Sequence, residues 1–499
     1  MYLGPVEKAS MGLSFLLLSL CLATNNNQRA SSSVVERRPD KTEAEGPIPS
    51  WRTQSLRAPG VHLYSMNYKV VGGKALSGTV QTNRSKNAAV VLLAASLLNR
   101  GTTTLRKMPR IEEVNRLVEV MESIGVSIER HENGDIVIRP PEQFDLTNIN
   151  KEAASRTRAI ALFLAPLAHR IGSFELPAPK GCDLGKRSLG PHVDALARLG
   201  IILEGDEEAH TYHVETNGKV CAEIIMYEAS DTGVENVLMA AARIPCATTI
   251  KFASANYMVQ DLCVFLERCG VKIEGIGTST LVVHGVEDIN ADIEGFPSED
   301  PIESMFFVSL AATTRSSLQI TRCPSDFLEL ELFTLGLMGL RYMWGEPYVS
   351  DNGHTTLRDL SLEPSELIAA PEKVHARPYP GINIDNLPYF VPPATQARGE
   401  TLIHDWAYEG RAKYYLEMNK LGANIELLDQ HRALVKGPTK LHAGDIEAPP
   451  ALRPATLLLI GMLAAEGESM LSNVYPISRG YENLHKRLKT LGASVEAVE

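Results

Sequence analysis

The stretch VMESIGVSIE, residues 120–129, joins the end of a helix to a strand through one glycine. Just upstream and within it, Leu117, Val118, Met121 and Ile124 recur at the spacing of a single buried helix face. Gly125 supplies the left-handed conformation that satisfies a helix's last carbonyls, and the residues after it alternate as a strand with one face inward. The same phrase returns as ALARLGIILE (195–204), FLERCGVKIE (265–274), TLGLMGLRYMW (334–344), EMNKLGANIE (417–426) and RLKTLGASVE (487–496). The closing glycines, Gly125, Gly200, Gly270, Gly339, Gly422 and Gly492, are spaced at roughly seventy residues. That period is longer than those of the common solenoid repeats. Six such units predict two α/β globules of three units each.

Each unit also carries an earlier helix that is apolar nearly all round, as in RAIALFLAPLA (158–168) and RPATLLLIGMLAAEG (453–467). Such helices belong at a domain centre and are too short to span a bilayer. The predicted junction between the globules is IEGFPSEDPIES (293–304), where Pro297 and Pro301 bracket a polar turn. A site between two such lobes sits in a closing cleft, a favoured place for small-molecule chemistry.

The repeat begins at Tyr68, and residues 1–65 read differently. MGLSFLLLSLCLA (11–23) resembles the apolar core of a signal peptide, without a clearly basic segment before it. The polar, Ser-, Pro- and Arg-rich text that follows has little to bury and is expected to be disordered. Three readings stand: a secretion signal, a targeting or regulatory tail, or an upstream extension of the reading frame. The last is preferred, with Met66 as the natural start.

The 499 residues are 44% hydrophobic and 22% charged, with a net charge of −11. That balance argues against general binding to nucleic acid or to an anionic membrane, but a few converging cations still suit a small anionic substrate. Seven cysteines occur without C-x-x-C or paired spacing. They read as belonging to a reducing compartment, with no disulfide framework or zinc cluster. Cys221, Cys246, Cys263, Cys269 and Cys323 lie in strand or helix patterns and read as core or bystander residues. Cys182 differs, because it sits in a glycine-rich loop with Lys180, Lys186, Arg187 and His192 nearby. Cations lower a thiol's pKa, so this group either donates a proton or attacks; the alternative is an incidental loop thiol.

Cations also head the apolar helices: Lys86 with Asn87 in the first unit, Arg158 in the second and Arg453 in the sixth. Helix N-termini offer free N–H groups and a positive dipole end to phosphate or carboxylate. Taken singly, each cation reads as well as a solvated residue at a helix start; three in equivalent positions favour an anion site. H-E-x-x-H, the Walker loop and G-x-S-x-G are absent, and GIGTST (275–280) lacks the third glycine of a dinucleotide fingerprint.

The sequence resembles the enolpyruvyl transferases, specifically the branch that acts on UDP-N-acetylglucosamine. The resemblance runs from Tyr68 to Glu499 and rests on SKNAAVVLLAASLL (85–98), PAPKGCDLGKRSLGPH (177–192), RTRAIALFLAPL (156–167), TGVENVLMAAA (232–242), INID (382–385), YEGR (408–411), ALRPAT (451–456) and ISRGYENLHKRLKTLGA (477–493). It implies a two-lobed inside-out α/β barrel of six βαβαββ-type repeats, three per lobe, with the first short strand joining the C-terminal lobe. Residues 86–296 would then form one lobe, carrying the mobile cysteine loop, and residues 66–85 with 297–499 the other.

The implied reaction moves the enolpyruvyl group of phosphoenolpyruvate to the 3′-hydroxyl of UDP-N-acetylglucosamine, releasing phosphate. It is the first committed step of peptidoglycan precursor synthesis, is cytoplasmic and needs no metal or other cofactor. Cys182 would be the general acid and the target of fosfomycin. Lys86, Arg187 and Arg479 would hold phosphate and carboxylate, with Arg453 nearby, and Asp385 would take the hydroxyl proton. Asn87, Arg158, Arg411, Ser230, Ala407 and the loop from Arg187 to His192 would contact the nucleotide sugar or close the site.

The chain departs from the family pattern at Gly190 and Ala451, where aspartate is common. It also departs in SDTGVEN (230–236), where the family reads S-V-G-A-T-E-N, and at Tyr257-Met258, where an acidic P-E pair is usual. These changes touch acceptor binding and closure. They leave open a divergent transferase with another acceptor, or a non-catalytic nucleotide-sugar-binding protein. The related shikimate enzyme lacks the reactive-cysteine loop.

Overall fold

The computed structural model describes residues 66–178, 189–206 and 208–499. The N-terminal extension and most of the cysteine loop, with Cys182 and Arg187, lie outside the described residues. All six closing glycines take positive φ, between 84° at Gly200 and 96° at Gly339, where a side chain would be strained.

The third unit shows the common pattern. Helix Asp231–Ala242 leads to strand Ala247–Lys251, and helix Tyr257–Arg268 leads to strand Lys272–Glu274. Strand Thr280–His284 then returns antiparallel between the two, and Glu223–Ile225 adds in parallel to the outer edge. The other units repeat this strand order, the second with three strands.

Two exchanges tie the lobes together. Strand Ser77–Gln81 precedes the first unit's helix but pairs in parallel with Ser317–Pro324 of the fourth. Ile293–Gly295 precedes the fourth unit's helix but pairs in parallel with Thr103–Leu105 of the first. The two crossing segments pass antiparallel at Arg84 and Glu299. There the Ser85 N–H donates to Ser298 O at 2.8 Å, and the Asp300 N–H donates to Asn83 O at 2.9 Å. Buried Glu299 is compensated by Arg84 at 3.0 Å, Arg322 at 2.5 Å and the Ser350 hydroxyl at 2.7 Å.

One hydrophobic core draws on residues from Ala88 to Ile293. A second draws on Tyr68 to Val80 together with Ile302 to Val495. The central helices Lys86–Ser96, Pro301–Thr314 and Leu452–Ala464 are buried along almost their whole length, which accounts for their lack of a polar face.

Three features differ from expectation. No closed barrel forms among the described residues. The strands make six separate sheets of three to five strands, because hairpins and parallel crossovers pair them in small sets. The segment expected as one helix at 158–168 is a 3₁₀ turn, Arg158–Phe163, followed by a short helix, Leu164–Ala168; Pro166 withholds the N–H that a continuous helix needs. Cys221 and Cys246 are joined as a disulfide with Cα atoms 6.1 Å apart, not bystanders. Their sequence spacing hides this, since parallel pairing of the strands that follow them sets them side by side. Cys263 and Cys323 are buried and free.

In the sixth unit the returning strand comes from the start of the chain. Asn67–Gly72 lies between Gly467–Ser472 and Ser494–Val498, antiparallel to both. Removing residues through Gly73 should strip both neighbours of their pairing and lower the melting midpoint by ~10 °C or more, or leave the chain insoluble. A melt of the truncated chain superimposing on that of a chain starting at Met66 would count against this placement.

Candidate active site

The first group of site residues converges on one carboxylate. Ser85 caps helix Lys86–Ser96 by accepting from the N–H groups of Asn87 and Ala88, and so sets Lys86 at the helix head. The Lys86 ammonium lies 3.9 Å from Glu113 Oε1 and donates to Asn87 Oδ1 at 3.4 Å. Thr157, which caps the turn carrying Arg158, donates its hydroxyl to Glu113 Oε1 at 2.7 Å. Arg479, from the second core's side of the molecule, donates to Glu113 Oε2 through Nη2 at 2.9 Å and Nε at 3.1 Å. Burial alone would push the Glu113 carboxyl up. Lys86, Arg479 and the Thr157 bond hold it below the ordinary glutamate range. Burial pushes the Lys86 ammonium down; Glu113 opposes that, and Arg479 and Arg453 reinforce it.

The second group surrounds Asp385. Arg411 Nη1 lies 3.8 Å from Asp385 Oδ1, and Arg453 Nη2 lies 3.5 Å from Oδ2. Arg411 is 1% exposed; Asp405 holds it at 2.6 and 2.8 Å, and it also donates to Ile384 O at 2.8 Å. Asp405 further accepts from the Tyr415 hydroxyl at 2.6 Å. Arg453 donates to the Tyr481 hydroxyl at 3.0 Å, which shares a 2.5 Å hydrogen bond with Tyr389. Ala451 heads the Arg453 helix with no side-chain capping bond. Asp385 keeps 28% of its side chain exposed, against 8% for Arg453 and 1% for Arg411.

The third group is the head of helix Asp231–Ala242, capped by Ser230. Asp231 accepts from Ser254 at 2.5 Å and Asn256 at 3.2 Å, and burial raises its carboxyl above the usual range. A pocket beside it is lined by Asp231 and Asn256 on one wall and by Arg377, Asn383 and Ile384 on the other. It therefore opens next to Asp385. His192 lies behind this helix, 2% exposed. Asn236 Nδ2 donates to its Nδ1 at 3.0 Å, so its Nε2 bears the proton and meets Thr232 Oγ1 at 3.3 Å.

The structure thus gathers Lys86, Asn87, Asp385, Arg411, Arg453 and Arg479 into one cluster. Arg158 opens the adjoining 3₁₀ turn, and Ala407 lies half-buried two residues beyond Asp405. His192 and Arg411 spend their polar atoms on protein partners. Sequence reasoning missed Glu113, Thr157, Asp405, Tyr389 and Tyr481. Glu113 left a readable signal: it extends the Leu117–Met121 stripe by one helical turn, placing a carboxylate on the buried face. Among the described residues no three His, Cys, Asp or Glu side chains gather as a metal site, and no helix is long and apolar enough to cross a membrane.

Two cores of repeated α/β units, with cations from both balanced by carboxylates, define a two-lobed α/β protein. The chain belongs to the enolpyruvyl transferase family. The sequence pattern of the EPSP synthase family (3-phosphoshikimate 1-carboxyvinyltransferase) matches residues 70–488. UDP-N-acetylglucosamine 1-carboxyvinyltransferase of Treponema denticola is 34% identical over 436 residues, covering 87% of this chain and 99% of that protein. The protein of the same description from Thermobifida fusca is 32% identical over 441 residues, 86% of this chain and 98% of its own. Among solved structures, the enolpyruvyl transferase NikO from Streptomyces tendae superposes with a TM-score of 0.74 at 22% identity, over 87% of this chain and 99% of its own. EPSP synthase from Acinetobacter baumannii gives 0.67 at 15%, over 87% and 100%.

Burial pushes the His192 imidazole down to about 4, with Arg158 adding to the effect. Between the ordinary histidine value and that depressed one, the unfolded chain binds a proton that the folded chain refuses, so stability falls as pH falls. Wild type should lose up to about 3 kcal/mol relative to His192→Gln between pH 6.5 and pH 4. Parallel pH-dependent denaturation curves for the two proteins would show that His192 is not buried in its neutral form.

Proposed function

We propose that this chain transfers the enolpyruvyl group of phosphoenolpyruvate to the 3′-hydroxyl of UDP-N-acetylglucosamine, in the cytoplasm, as the first committed step of peptidoglycan precursor synthesis. The observation that carries the reading is the convergence of Lys86 and Arg479 beside an Asp385 carboxylate framed by Arg411 and Arg453. The kinship with UDP-N-acetylglucosamine 1-carboxyvinyltransferases over nearly their whole length supports it.

In this reading Lys86 and Arg479, with Arg187, hold the phosphate and carboxylate of phosphoenolpyruvate by charge-assisted hydrogen bonds. Cys182 gives a proton to the methylene carbon while the sugar oxygen bonds to the central carbon, and Asp385 takes the hydroxyl proton. Elimination returns a proton from the methyl carbon to the Cys182 thiolate, re-forms the double bond and expels phosphate. Arg411, pinned by Asp405, keeps Asp385 aimed at the acceptor. Asn87, Arg158, Ser230 and the backbone around Ala407 line the nucleotide-sugar side. Residues 86–296 act as one lobe, and residues 66–85 with 297–499 as the other.

The deciding assay is phosphate release from phosphoenolpyruvate with UDP-N-acetylglucosamine or shikimate 3-phosphate as acceptor. Turnover with the second acceptor alone, or with neither, would overturn the proposal. Asp385→Asn keeps the shape and removes the base, so kcat should fall roughly 10²–10⁴-fold with acceptor binding retained. Fosfomycin should label Cys182, as read by peptide mass mapping, and Cys182→Ala should lose both labelling and turnover.

A further inference from the structure

Glu113 is 3% exposed and belongs to none of the roles assigned above. A buried carboxylate costs several kcal/mol unless its oxygens are paired. Here every partner is itself part of the site: Lys86 from one helix head, Thr157 from the next unit, and Arg479 from 366 residues further along the chain. Lys86 and Arg479 belong on opposite sides of the strand exchange, so their approach brings like charges together in a partly desolvated cleft. Glu113 removes that repulsion, because it takes Lys86 on Oε1 and Arg479 on Oε2. Glu113 brings one negative charge to these two positive ones. Thr157 fixes the carboxylate's rotation by binding the oxygen that faces Lys86.

We infer that Glu113 is a positioning residue for this reaction, holding Lys86 and Arg479 together across the lobe boundary and keeping Lys86 charged for the phosphoenolpyruvate anions. The inference rests on the reading of the site proposed above. It reaches beyond the cations and the acid–base pair to the group that sets their geometry.

The test measures Lys86 directly. Its side chain is 22% exposed, so acetic anhydride can reach the amine, and peptide mass mapping against pH gives its titration midpoint. The charges facing Lys86 are Glu113, Arg479, Arg453, Asp385 and Glu235. In Glu113→Gln the chief negative neighbour is gone, so the midpoint should fall by about one pH unit and acylation at fixed pH should rise about tenfold. In Arg479→Gln a positive neighbour is gone, and the midpoint should rise. Glu113→Asp keeps the charge and should hold the midpoint near wild type. With phosphoenolpyruvate and UDP-N-acetylglucosamine as substrates, Glu113→Gln should raise KM for phosphoenolpyruvate at least tenfold. It should also move the alkaline limb of kcat/KM to lower pH, while calorimetric binding of UDP-N-acetylglucosamine stays within a few-fold. An unmoved Lys86 midpoint in Glu113→Gln would overturn the inference. Should that variant not fold, an unmoved midpoint in Arg479→Gln would do so. A wild type without transferase activity would instead overturn the proposed reaction, while the labelling arm still decides the role of Glu113.

Discussion

Cationic side chains gathered in a desolvated cleft must be compensated before any substrate arrives, and this requirement shapes the site. The cations share carboxylates: Lys86 and Arg479 share Glu113, Arg411 is held by Asp405, and Arg411 and Arg453 share Asp385. The compensation is graded by burial. Asp405 is 0% exposed and bonded by Arg411 and Tyr415, so it serves as scaffold. Asp385 lies 3.5 Å from Arg453 and 3.8 Å from Arg411 and keeps an exposed edge.

The same requirement explains why the lobes exchange strands. A cleft whose charges come from two bodies keeps its geometry only if the bodies cannot drift. The exchange of Ser77–Gln81 for Ile293–Gly295 supplies two parallel tethers. Where they cross, Arg84, Arg322 and Glu299 knit the passing segments together, and Ser85, the cap that places Lys86, lies within that crossing. The helix head bearing the first cation is therefore built into the crossing.

The six-unit organisation was legible in the sequence because its markers are local. A glycine at positive φ after an amphipathic helix is a requirement of a few residues, and all six met it. The strand exchanges and the insertion of Asn67–Gly72 into the last sheet were not legible from residues, because pairing partners hundreds of residues apart leave no periodic trace. Lys86, Arg453 and Arg479 could be named from helix-head position and resemblance. Asp405 and Tyr481 could not, because an acid or phenol is recognised as a partner only once the cation it faces has been placed; Glu113 showed only as a carboxylate on a buried helix face. The disulfide between Cys221 and Cys246 escaped for the same reason.

The chain's departures from its family also acquire a physical pattern. Tyr257, standing in the family's acidic pair, accepts a hydrogen bond from Ser85 at 3.0 Å and is fully enclosed. Asp231, standing where the family has valine, takes its hydrogen bonds from Ser254 and Asn256, immediately before Tyr257. In the pattern the chain resembles, the acid of that pair stands at the position of Met258, while Asp231 places a carboxylate within hydrogen-bonding reach of Ser254 and Asn256. Burial raises Asp231, and Asp231 in turn helps raise Glu235, so the patch resists gaining further negative charge. This rearrangement lies on the wall of the pocket that opens beside Asp385, whereas the partners of Glu113, Lys86 and Arg479 are untouched by it.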